Sequence, residues 1–321
     1  MTFPVSGVEV SPWVPLVAGL AVSLFTSMGG VSGGFLLLPF QVSVLGFTSP
    51  AVSPTSLVYN IVAIPAGVYG YVREKRMVWP LTWVIIAGTL PGVCIGVILR
   101  IKYLPDPKAF KFFVGWVLLY IAGRLLYDLM TRARQRHADG RGLDARSAEP
   151  VTEAPRAGTA RCTHDAPAPF VVQSVSWSWR RIRYRFRGET FSLSTLAVLP
   201  LVLVVGVVSG AYGIGGGAIT GPLLVTLFRL PVYTVAGAVL MGTFISSIAG
   251  VIFYRLAAVH YAALGLAIAP DWLLGGLFGL GGAVGIYLGA RCQKYVPARV
   301  IKVMLSAVLL FLAVRYISGL L

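Results

Sequence analysis

Charged residues are scarce in this sequence, where they make up 12% of the 321 residues. A soluble domain carries roughly twice that share, about 25%. Hydrophobic residues reach 57%, and the mean hydropathy is +0.81. We therefore expect the chain to bury its apolar surface in lipid, and an ordinary water-soluble domain is excluded.

Acidic residues are the rarer charged class, and none of the eleven falls at the centre of an apolar run. Carboxylates inside membrane helices mark many cation pathways and proton relays. Their lack argues against cation transport, a carboxylate proton relay and a metal-dependent membrane enzyme with paired aspartates. Sodium held by backbone carbonyls stays open. The eleven residues are Glu9, Glu74, Asp106, Asp128, Asp139, Asp144, Glu149, Glu153, Asp165, Glu189 and Asp271.

Cysteine and histidine are also few, with three residues of each type. They share no ligand spacing, so neither a disulfide framework nor a zinc site is predicted. No Ser/His/Asp or Cys/His set for catalysis stands out either. We expect a protein that is not an enzyme and that uses no metal or cofactor. The six residues are Cys94, Cys162, Cys292, His137, His164 and His260.

Long apolar runs make up most of the remaining sequence. We count about eight runs near the length of about 20 residues that spans the hydrocarbon core. Membrane-spanning strands would alternate apolar and polar residues, and these runs do not. The sequence therefore predicts an all-α, polytopic integral membrane protein. The runs are 14–46, 51–72, 78–99, 110–130, 192–228, 232–254, 270–290 and 300–320.

The chain divides into two membrane halves around a hydrophilic middle. The first transmembrane repeat covers 14–130 and the second covers 191–321. The linker 131–190 is basic and polar, and the composition of 135–168 favours flexibility. Within the linker, 177–187 alternates apolar residues with arginine, which fits either a strand-like segment on lipid headgroups or a solvated basic linker.

Positive charge is placed in the pattern that orients membrane proteins. The net charge of +16 comes largely from arginines in the linker and in short loops, which disfavours nucleic-acid binding. The same rule puts the linker in the cytoplasm. A contrary cluster at Arg100, Lys102, Lys108 and Lys111 falls outside, where it attracts anions or is an exception to the rule.

The course of segment 14–46 decides how the two halves are related. If it enters and leaves on one side as a re-entrant hairpin, each half makes three full crossings and the halves are inverted repeats. If it crosses fully, the halves are parallel. We favour inversion because it places the basic residues Arg291, Lys294, Arg299 and Lys302 in the cytoplasm.

A glycine-rich break occurs once in each half, at matching positions. The first copy reads Gly30-Val-Ser-Gly-Gly-Phe-Leu-Leu-Leu-Pro39, and the second reads Gly213-Ile-Gly-Gly-Gly-Ala-Ile-Thr-Gly-Pro222. Each glycine in a helix interior costs about 1 kcal/mol relative to alanine, so such clusters break helices. A duplicated half with a broken helix is the best sequence indication of a transporter's binding site.

These breaks predict an anion site. A helix that restarts after glycine presents free N–H groups and a partial positive charge, and a ligand can touch the bare backbone. Close helix packing is the alternative, and we favour packing for the Gly92 and Gly96 pair and for the Gly281, Gly285 and Gly289 ladder. The candidate binding residues of the breaks are Ser32, Gly33, Gly34, Gly215, Gly216 and Gly217.

Polar side chains on the next apolar run of each half form a second set of candidates. Hydroxyl and amide groups at one level of two helices can bind an oxyanion without a fixed charge. Interhelical hydrogen bonding, or a hydroxyl bonded back to its own helix, is the alternative for each residue alone. We expect Thr55 and Thr243 to correspond. The candidates are Thr55, Ser56, Asn60, Thr243 and Ser247.

With both repeats in view, the chain resembles the sulfite exporter TauE/SafE family of membrane anion permeases. The resemblance covers both halves and departs at Ser32, where the second copy has Gly215. It implies a multi-pass inner-membrane carrier of sulfite, sulfonates, sulfoacetate or related anions. The matching residues are Gly30 to Gly34, Pro39, Thr55 to Leu57, Gly213 to Gly217, Pro222, Gly279 to Gly282, Gly285 to Ala290, and Pro297.

We therefore predict a secondary transporter that holds an anion between the two repeats and exposes it alternately to each side. A passive anion channel, an integral membrane lipid enzyme and a signalling scaffold that uses the linker are the alternatives. The expected partners are the small anionic substrate and membrane lipid, without nucleic acid, and a homodimer is left open.

Overall fold

The computed structural model is mainly helical, with eleven helices and three strands in its described part. It describes residues 1–28, 33–73, 75, 77–146, 173–178, 181–186, 189–228, 230, 232–261, 267–292 and 298–319. The first half contains α1 (Trp13–Met28), α2 (Gly34–Ser43), α3 (Val52–Ala63), α4 (Pro65–Arg73), α5 (Trp79–Lys102) and α6 (Pro107–Arg146). The second contains α7 (Thr195–Tyr212), α8 (Gly217–Leu227), α9 (Val232–His260), α10 (Trp272–Cys292) and α11 (Ala298–Ile317).

Six segments of the described chain are long and apolar enough to cross a membrane, and they confirm the all-α polytopic prediction. Helices α1, α2 and α11 provide shorter apolar segments. The protein is therefore a multi-pass membrane protein. The six segments are Val52–Arg73, Trp79–Lys102, Pro107–Tyr127, Thr195–Tyr212, Thr234–His260 and Trp272–Gly289.

The linker contains more regular structure than its composition suggests. Helix α6 continues to Arg146 and so includes 135–146, whereas 147–168 lies outside the described residues, and flexibility of this segment stays a prediction. Three antiparallel strands follow in the order β1 (Gln173–Trp177), β2 (Arg181–Phe186) and β3 (Glu189–Ser194). The last strand leads directly into α7.

The side chains of β2 alternate between exposed and buried positions. The arginines Arg181, Arg183 and Arg185 are exposed, whereas Ile182, Tyr184 and Phe186 are buried. The strand interpretation of this segment is therefore correct, but the aromatic residues pack in a protein core with side chains of α5, α7, α8 and α9. Burial raises the pKa of Tyr184 to about 12, and its hydroxyl lies 2.9 Å from Thr234 Oγ1.

Glycines let α5 and α7 pack with their backbones in contact. A Cβ placed on Gly88 would lie 3.0 Å from the Leu199 carbonyl oxygen, and one on Gly96 would lie 2.8 Å from the Ala211 nitrogen. Residue numbers rise together along this contact, so the two helices run parallel. The packing interpretation of the Gly92 and Gly96 pair agrees with this geometry.

Helices α1 and α10 meet in the same way. A Cβ on Gly281 would lie 2.9 Å from the Leu16 carbonyl carbon, and one on Gly289 would lie 2.7 Å from the Leu24 carbonyl oxygen. These two helices are therefore parallel as well. The glycine ladder of α10 thus serves helix packing, which agrees with the interpretation favoured from the sequence.

Helix α10 also runs parallel to α3, and this relation fixes the direction of the first half. A Cβ on Gly275 would lie 2.8 Å from Val58 Cβ, and one on Gly282 would lie 3.1 Å from Ala63 Cβ. Because α1 and α3 are both parallel to α10, they point the same way. Helix α2 runs back between them, so α1 and α2 form a hairpin.

Helix α9 runs parallel to α5 and opposite to α3 and α4, because a Cβ on Gly250 would lie 2.6 Å from Leu57 Cδ1 and one on Gly67 would lie 3.7 Å from Leu240 Cδ1. A Cβ on Gly242 would lie 3.5 Å from Ile85 Cβ, and one on Gly250 would lie 3.3 Å from Val93 Cγ1. Because α7 is also parallel to α5, α7 and α9 share one direction, with α8 between them. The second half thus contains a hairpin of α7 and α8 that points opposite to the first.

Candidate functional site

The second break depends on backbone geometry that glycine adopts readily. Helix α7 ends at Tyr212 and α8 begins at Gly217, and φ is +91° at Gly213, +71° at Gly215 and +81° at Gly216. Other residues seldom adopt such positive φ angles. A Cβ on Gly213 would also lie 2.5 Å from the backbone oxygen of Ser53, so the break is held against α3.

The first break occupies the same place in its own half. Helix α1 ends at Met28 and α2 begins at Gly34, while Ser32 lies outside the described residues. Gly33 faces the end of α1 and the middle of α3: a Cβ there would lie 3.1 Å from Thr26 Oγ1 and closer still to the Tyr59 hydroxyl. The bare backbone is therefore required here for packing.

Asn60 is the residue at which the two breaks meet. A Cβ on Gly34 would lie 3.1 Å from Asn60 Oδ1, and one on Gly215 would lie 3.0 Å from Asn60 Nδ2. The same Cβ on Gly215 would lie 2.7 Å from Ser247 Oγ, and one on Gly217 would contact the Thr243 hydroxyl. Predicted residues from both halves thus converge at one location.

The two breaks are built from equivalent contacts. Gly34, which opens α2, faces Asn60, and Gly217, which opens α8, faces Thr243. The position equivalent to Thr243 is therefore Asn60, and the expected correspondence of Thr55 with Thr243 is wrong. The sequence contains this equivalence, because Asn60 follows Gly34 by 26 residues and Thr243 follows Gly217 by 26 residues.

Several buried polar atoms around the breaks have no hydrogen-bond partner among the residues that the structure describes. Buried polar groups without partners cost about 1–3 kcal/mol each, so their clustering marks a candidate site for a polar ligand. Three of these side chains, which flank the second break, are fully or almost fully buried: Ser209, Thr220 and Ser247. The atoms are Gln41 Oε1, Asn60 Nδ2 and Oδ1, Ser209 Oγ, Thr220 Oγ1 and Ser247 Oγ.

Gln41, Ser209 and Thr220 were not predicted. A Cβ on Gly216 would lie 3.4 Å from Ser209 Oγ and 3.8 Å from Thr220 Oγ1, so both hydroxyls flank the second break. A sequence signal for Ser209 exists, because it precedes Gly216 by the same spacing as Thr26 precedes Gly33. Gln41 and Thr220 gave no comparable signal.

Thr55, Ser56 and Thr243 have hydrogen-bond partners within the protein. Thr55 donates to the Ala51 carbonyl at 2.7 Å and accepts from the Asp271 backbone nitrogen at 3.0 Å. Ser56 donates to Val52 at 3.1 Å. These bonds join neighbouring helices or successive turns of one helix. Such structural hydrogen bonding was the alternative to ligand binding that the sequence left open for each residue alone.

Ser56 and Thr243 each take part in one further hydrogen bond within the protein. Gln41 Nε2 donates to Ser56 Oγ at 3.0 Å, and Thr243 Oγ1 donates to the Val239 carbonyl at 2.8 Å. Ser56 and Thr243 keep acceptor capacity but no free hydroxyl hydrogen. The unpaired donors are therefore those of Asn60, Ser209, Thr220 and Ser247.

The prolines of the two breaks tie the halves together. Pro39 lacks the N–H that would bond the Phe35 carbonyl, and the Tyr212 hydroxyl donates to that carbonyl at 2.9 Å. Tyr316 of α11 donates to the Pro39 carbonyl at 3.3 Å. In return, Arg124 of α6 donates to the Pro222 carbonyl at 3.1 Å. Each restarted helix is thus anchored by the last helix of the other half.

In the part of the chain that the structure describes, no group of three His, Cys, Asp or Glu side chains is arranged to hold a metal ion. The convergent groups are hydroxyls, an amide and backbone, which suit a small polar or anionic ligand.

Comparison with known proteins places this architecture in a family. The family model for the sulfite exporter TauE/SafE matches residues 15–316, nearly the whole chain. The chain belongs to the sulfite exporter TauE/SafE family. It is 21% identical over 309 residues to the probable membrane transporter protein YunE of Bacillus subtilis (strain 168), covering 94% of this chain and 96% of that protein.

A second relative matches a shorter segment. The probable membrane transporter protein YdhB of Bacillus subtilis (strain 168) is 28% identical over 118 residues, which cover 37% of this chain and 44% of that protein. No solved structure matches this chain significantly. Membership of the TauE/SafE family and these relatives identify the protein as a membrane transporter.

Proposed function

We propose that this TauE/SafE protein is a secondary transporter of sulfur-containing oxyanions, such as sulfite or organosulfonates, across the cytoplasmic membrane. The observation that carries the proposal is the cluster of unpaired polar atoms where the two helix breaks meet at Asn60. The sulfur chemistry of the substrate comes from the family description.

The chemistry of the breaks suits an oxyanion. The first N–H groups of α2 and α8 have no acceptor within their own helices, and the helix dipole adds a partial positive charge there. The unpaired hydroxyls of Ser209, Thr220 and Ser247 and the amide of Asn60 supply further donors. Together these groups replace the water shell of a sulfite or sulfonate group without a fixed positive charge.

The two halves are inverted repeats in this proposal. Its support is the direction of the helices: α1 and α3 run one way, whereas α7 and α9, their counterparts by sequence, run the other way. Each half then contributes a re-entrant hairpin that enters from an opposite side, and the anion binds between the hairpin tips. Rocking of one half against the other exposes the site alternately. The sheet and Arg73 lie on the cytoplasmic side.

Substitution of Gly216 tests the site directly. Gly216→Leu places a bulky side chain at φ +81° between Ser209 and Thr220, so we expect it to abolish sulfite transport in proteoliposomes while the protein still inserts. Gly46→Leu is the matched control, because Gly46 has φ +67°, and no atom lies within 4 Å of its Cβ position. Normal transport by Gly216→Leu would remove the glycine break from the site.

Two further measurements define the mechanism and the substrate. A carrier accelerates exchange when substrate is present on the opposite side, whereas a passive channel built on the same site does not, so counterflow in proteoliposomes separates them. Binding of sulfite, sulfate, taurine and sulfoacetate to the purified protein, with a carboxylate as control, then identifies the substrate. Preference for the carboxylate over every sulfur oxyanion would contradict the proposed substrate class.

A further inference from the structure

Arg100 carries a fully buried positive charge outside the site described above. Its side chain has 0% exposure at the end of α5. Nη1 donates to the Leu104 carbonyl, and the guanidinium carbon lies 3.6 Å from the centre of the Phe110 ring. Nε and Nη2 have no hydrogen-bond partner in the part of the chain that the structure describes. A buried charge left without partners is strongly destabilising.

The two unpaired nitrogens lie on the edge of the guanidinium that recognises oxyanions. The Nε–H and the adjacent Nη2–H point in parallel, and this fork fits two oxygens of one carboxylate, phosphate or sulfur oxyanion. The contacts with Leu104 and Phe110 fix the guanidinium plane and leave that edge unused. A structural anchor for the turn between α5 and α6 would need only the Nη1 bond.

Arg100 lies close to the end of α7 that leads into the second break. One turn before it, a Cβ on Gly96 would lie 2.8 Å from the Ala211 nitrogen. Tyr254, which interacts electrostatically with Arg100, donates its hydroxyl hydrogen to the Gly210 carbonyl at 2.9 Å. Arg100 is therefore placed between the connection from α5 to α6 and the residues that precede Gly213.

We infer that Arg100 forms a second binding site for a small oxyanion, separate from the site at Asn60. The fork of Nε and Nη2 binds two oxygens of the ion, and Phe110 holds the guanidinium in place from one face. The ion reaches the fork when the connection from α5 to α6, which carries Leu104, moves. The identity of the ion as a sulfur oxyanion rests on the proposed function, but the existence of the site does not.

The number of bound ions tests this inference. Isothermal titration calorimetry of the purified full-length protein with sodium sulfite gives two sites per chain in the wild type. Arg100→Gln removes one of them, Gly216→Leu removes the other, and the double variant binds none. Arg255→Gln is the matched control, because Arg255 neighbours Tyr254 at the same end of α9 but is exposed, and it keeps both sites.

Arg100→Lys separates recognition from folding. Lysine retains the charge but cannot offer two parallel N–H groups, so we expect it to weaken the second site at least tenfold while thermal unfolding stays close to that of the wild type. If Arg100→Gln does not fold, this variant decides, and wild-type affinity at the second site overturns the inference.

The remaining outcomes separate this inference from the proposed function. A folded Arg100→Gln protein that still binds two sulfite ions overturns the second site. If Arg100→Gln loses one ion while Gly216→Leu loses none, the second site stands and the proposed role of the glycine break fails. A single ion that disappears only in Gly216→Leu supports the proposed function and overturns the inference.

Discussion

Asn60 connects the two halves at the level of single residues. Its amide faces Gly34 of the first break and Gly215 of the second, and neither of its polar atoms has a hydrogen-bond partner within the described chain. An amide is neutral and offers two N–H donors. It can therefore bind an anion between the two hairpin tips, but less tightly than a fixed cation would. This is the property that a carrier with a releasable substrate requires.

Substitution of Asn60 by aspartate and by alanine tests its role as a donor. Asn60→Ala removes a hydrogen bond to a charged group, worth about 1.5–3 kcal/mol, and weakens sulfite binding about tenfold or more. Asn60→Asp weakens it further, because a carboxylate accepts hydrogen bonds and repels the ion. Calorimetry on the folded variants measures both affinities. An aspartate variant that binds sulfite as tightly as the wild type does would show that Asn60 contributes no donor.

Residue types that are rare in membrane helices were the easiest candidates to identify from the sequence. Glycine clusters and an amide are costly there, so Gly34, Gly215 and Asn60 stood out. A hydroxyl in an apolar helix has the same sequence signature whether it is bonded to its own helix, as in Thr55, or left unpaired, as in Ser209. Only the three-dimensional contacts distinguish those two cases.

At the level of helices, close glycine contacts set the architecture. The parallel pairs α5 with α7 and α1 with α10 each join the two halves, and both depend on backbone approach at glycine. The sequence predicted this packing role because small residues spaced by one turn let helices approach. It did not predict which helices pair, because spacing defines a contact face and not its partner.

Substitution of Gly92 tests the contact between α5 and α7. A Cβ there would lie 2.9 Å from Gly206 Cα and from the Val207 nitrogen, and backbone atoms cannot move aside easily. Gly92→Leu is therefore expected to destabilise the protein by at least the roughly 1–3 kcal/mol typical of overpacking. Thermal unfolding followed by size-exclusion chromatography measures the loss. Gly123→Leu is the control, because Gly123 has no atom within 4 Å of its Cβ position, and equal loss in both variants would contradict the packing role.

At the scale of the whole molecule, the basic residues gave conflicting indications of the orientation in the membrane, and burial removes part of that conflict. The basic cluster between α5 and α6 opposed the orientation suggested by the linker. Arg100 belongs to that cluster in sequence but is buried in the structure, whereas Lys108 is exposed. The rule concerns charges in loops, so a buried arginine does not count against the proposed orientation. A sequence cannot reveal which basic residue near a helix end is buried.

The side of the membrane on which His260 lies distinguishes inverted from parallel halves. If 192–228 is a re-entrant hairpin on the linker side, α9 crosses once and places His260 on the opposite side from Arg183 of the sheet. If 192–228 crosses fully, α9 returns and both residues share a side.

Each side chain is exposed, so single cysteines at these positions in a cysteine-free background are accessible to a membrane-impermeant maleimide. We expect His260→Cys and Lys108→Cys to be labelled from outside the cell, and Arg183→Cys and Arg73→Cys only after the membrane is opened. Labelling of His260→Cys from the same side as Arg183→Cys would require parallel halves and would remove the basis for alternating access between inverted hairpins.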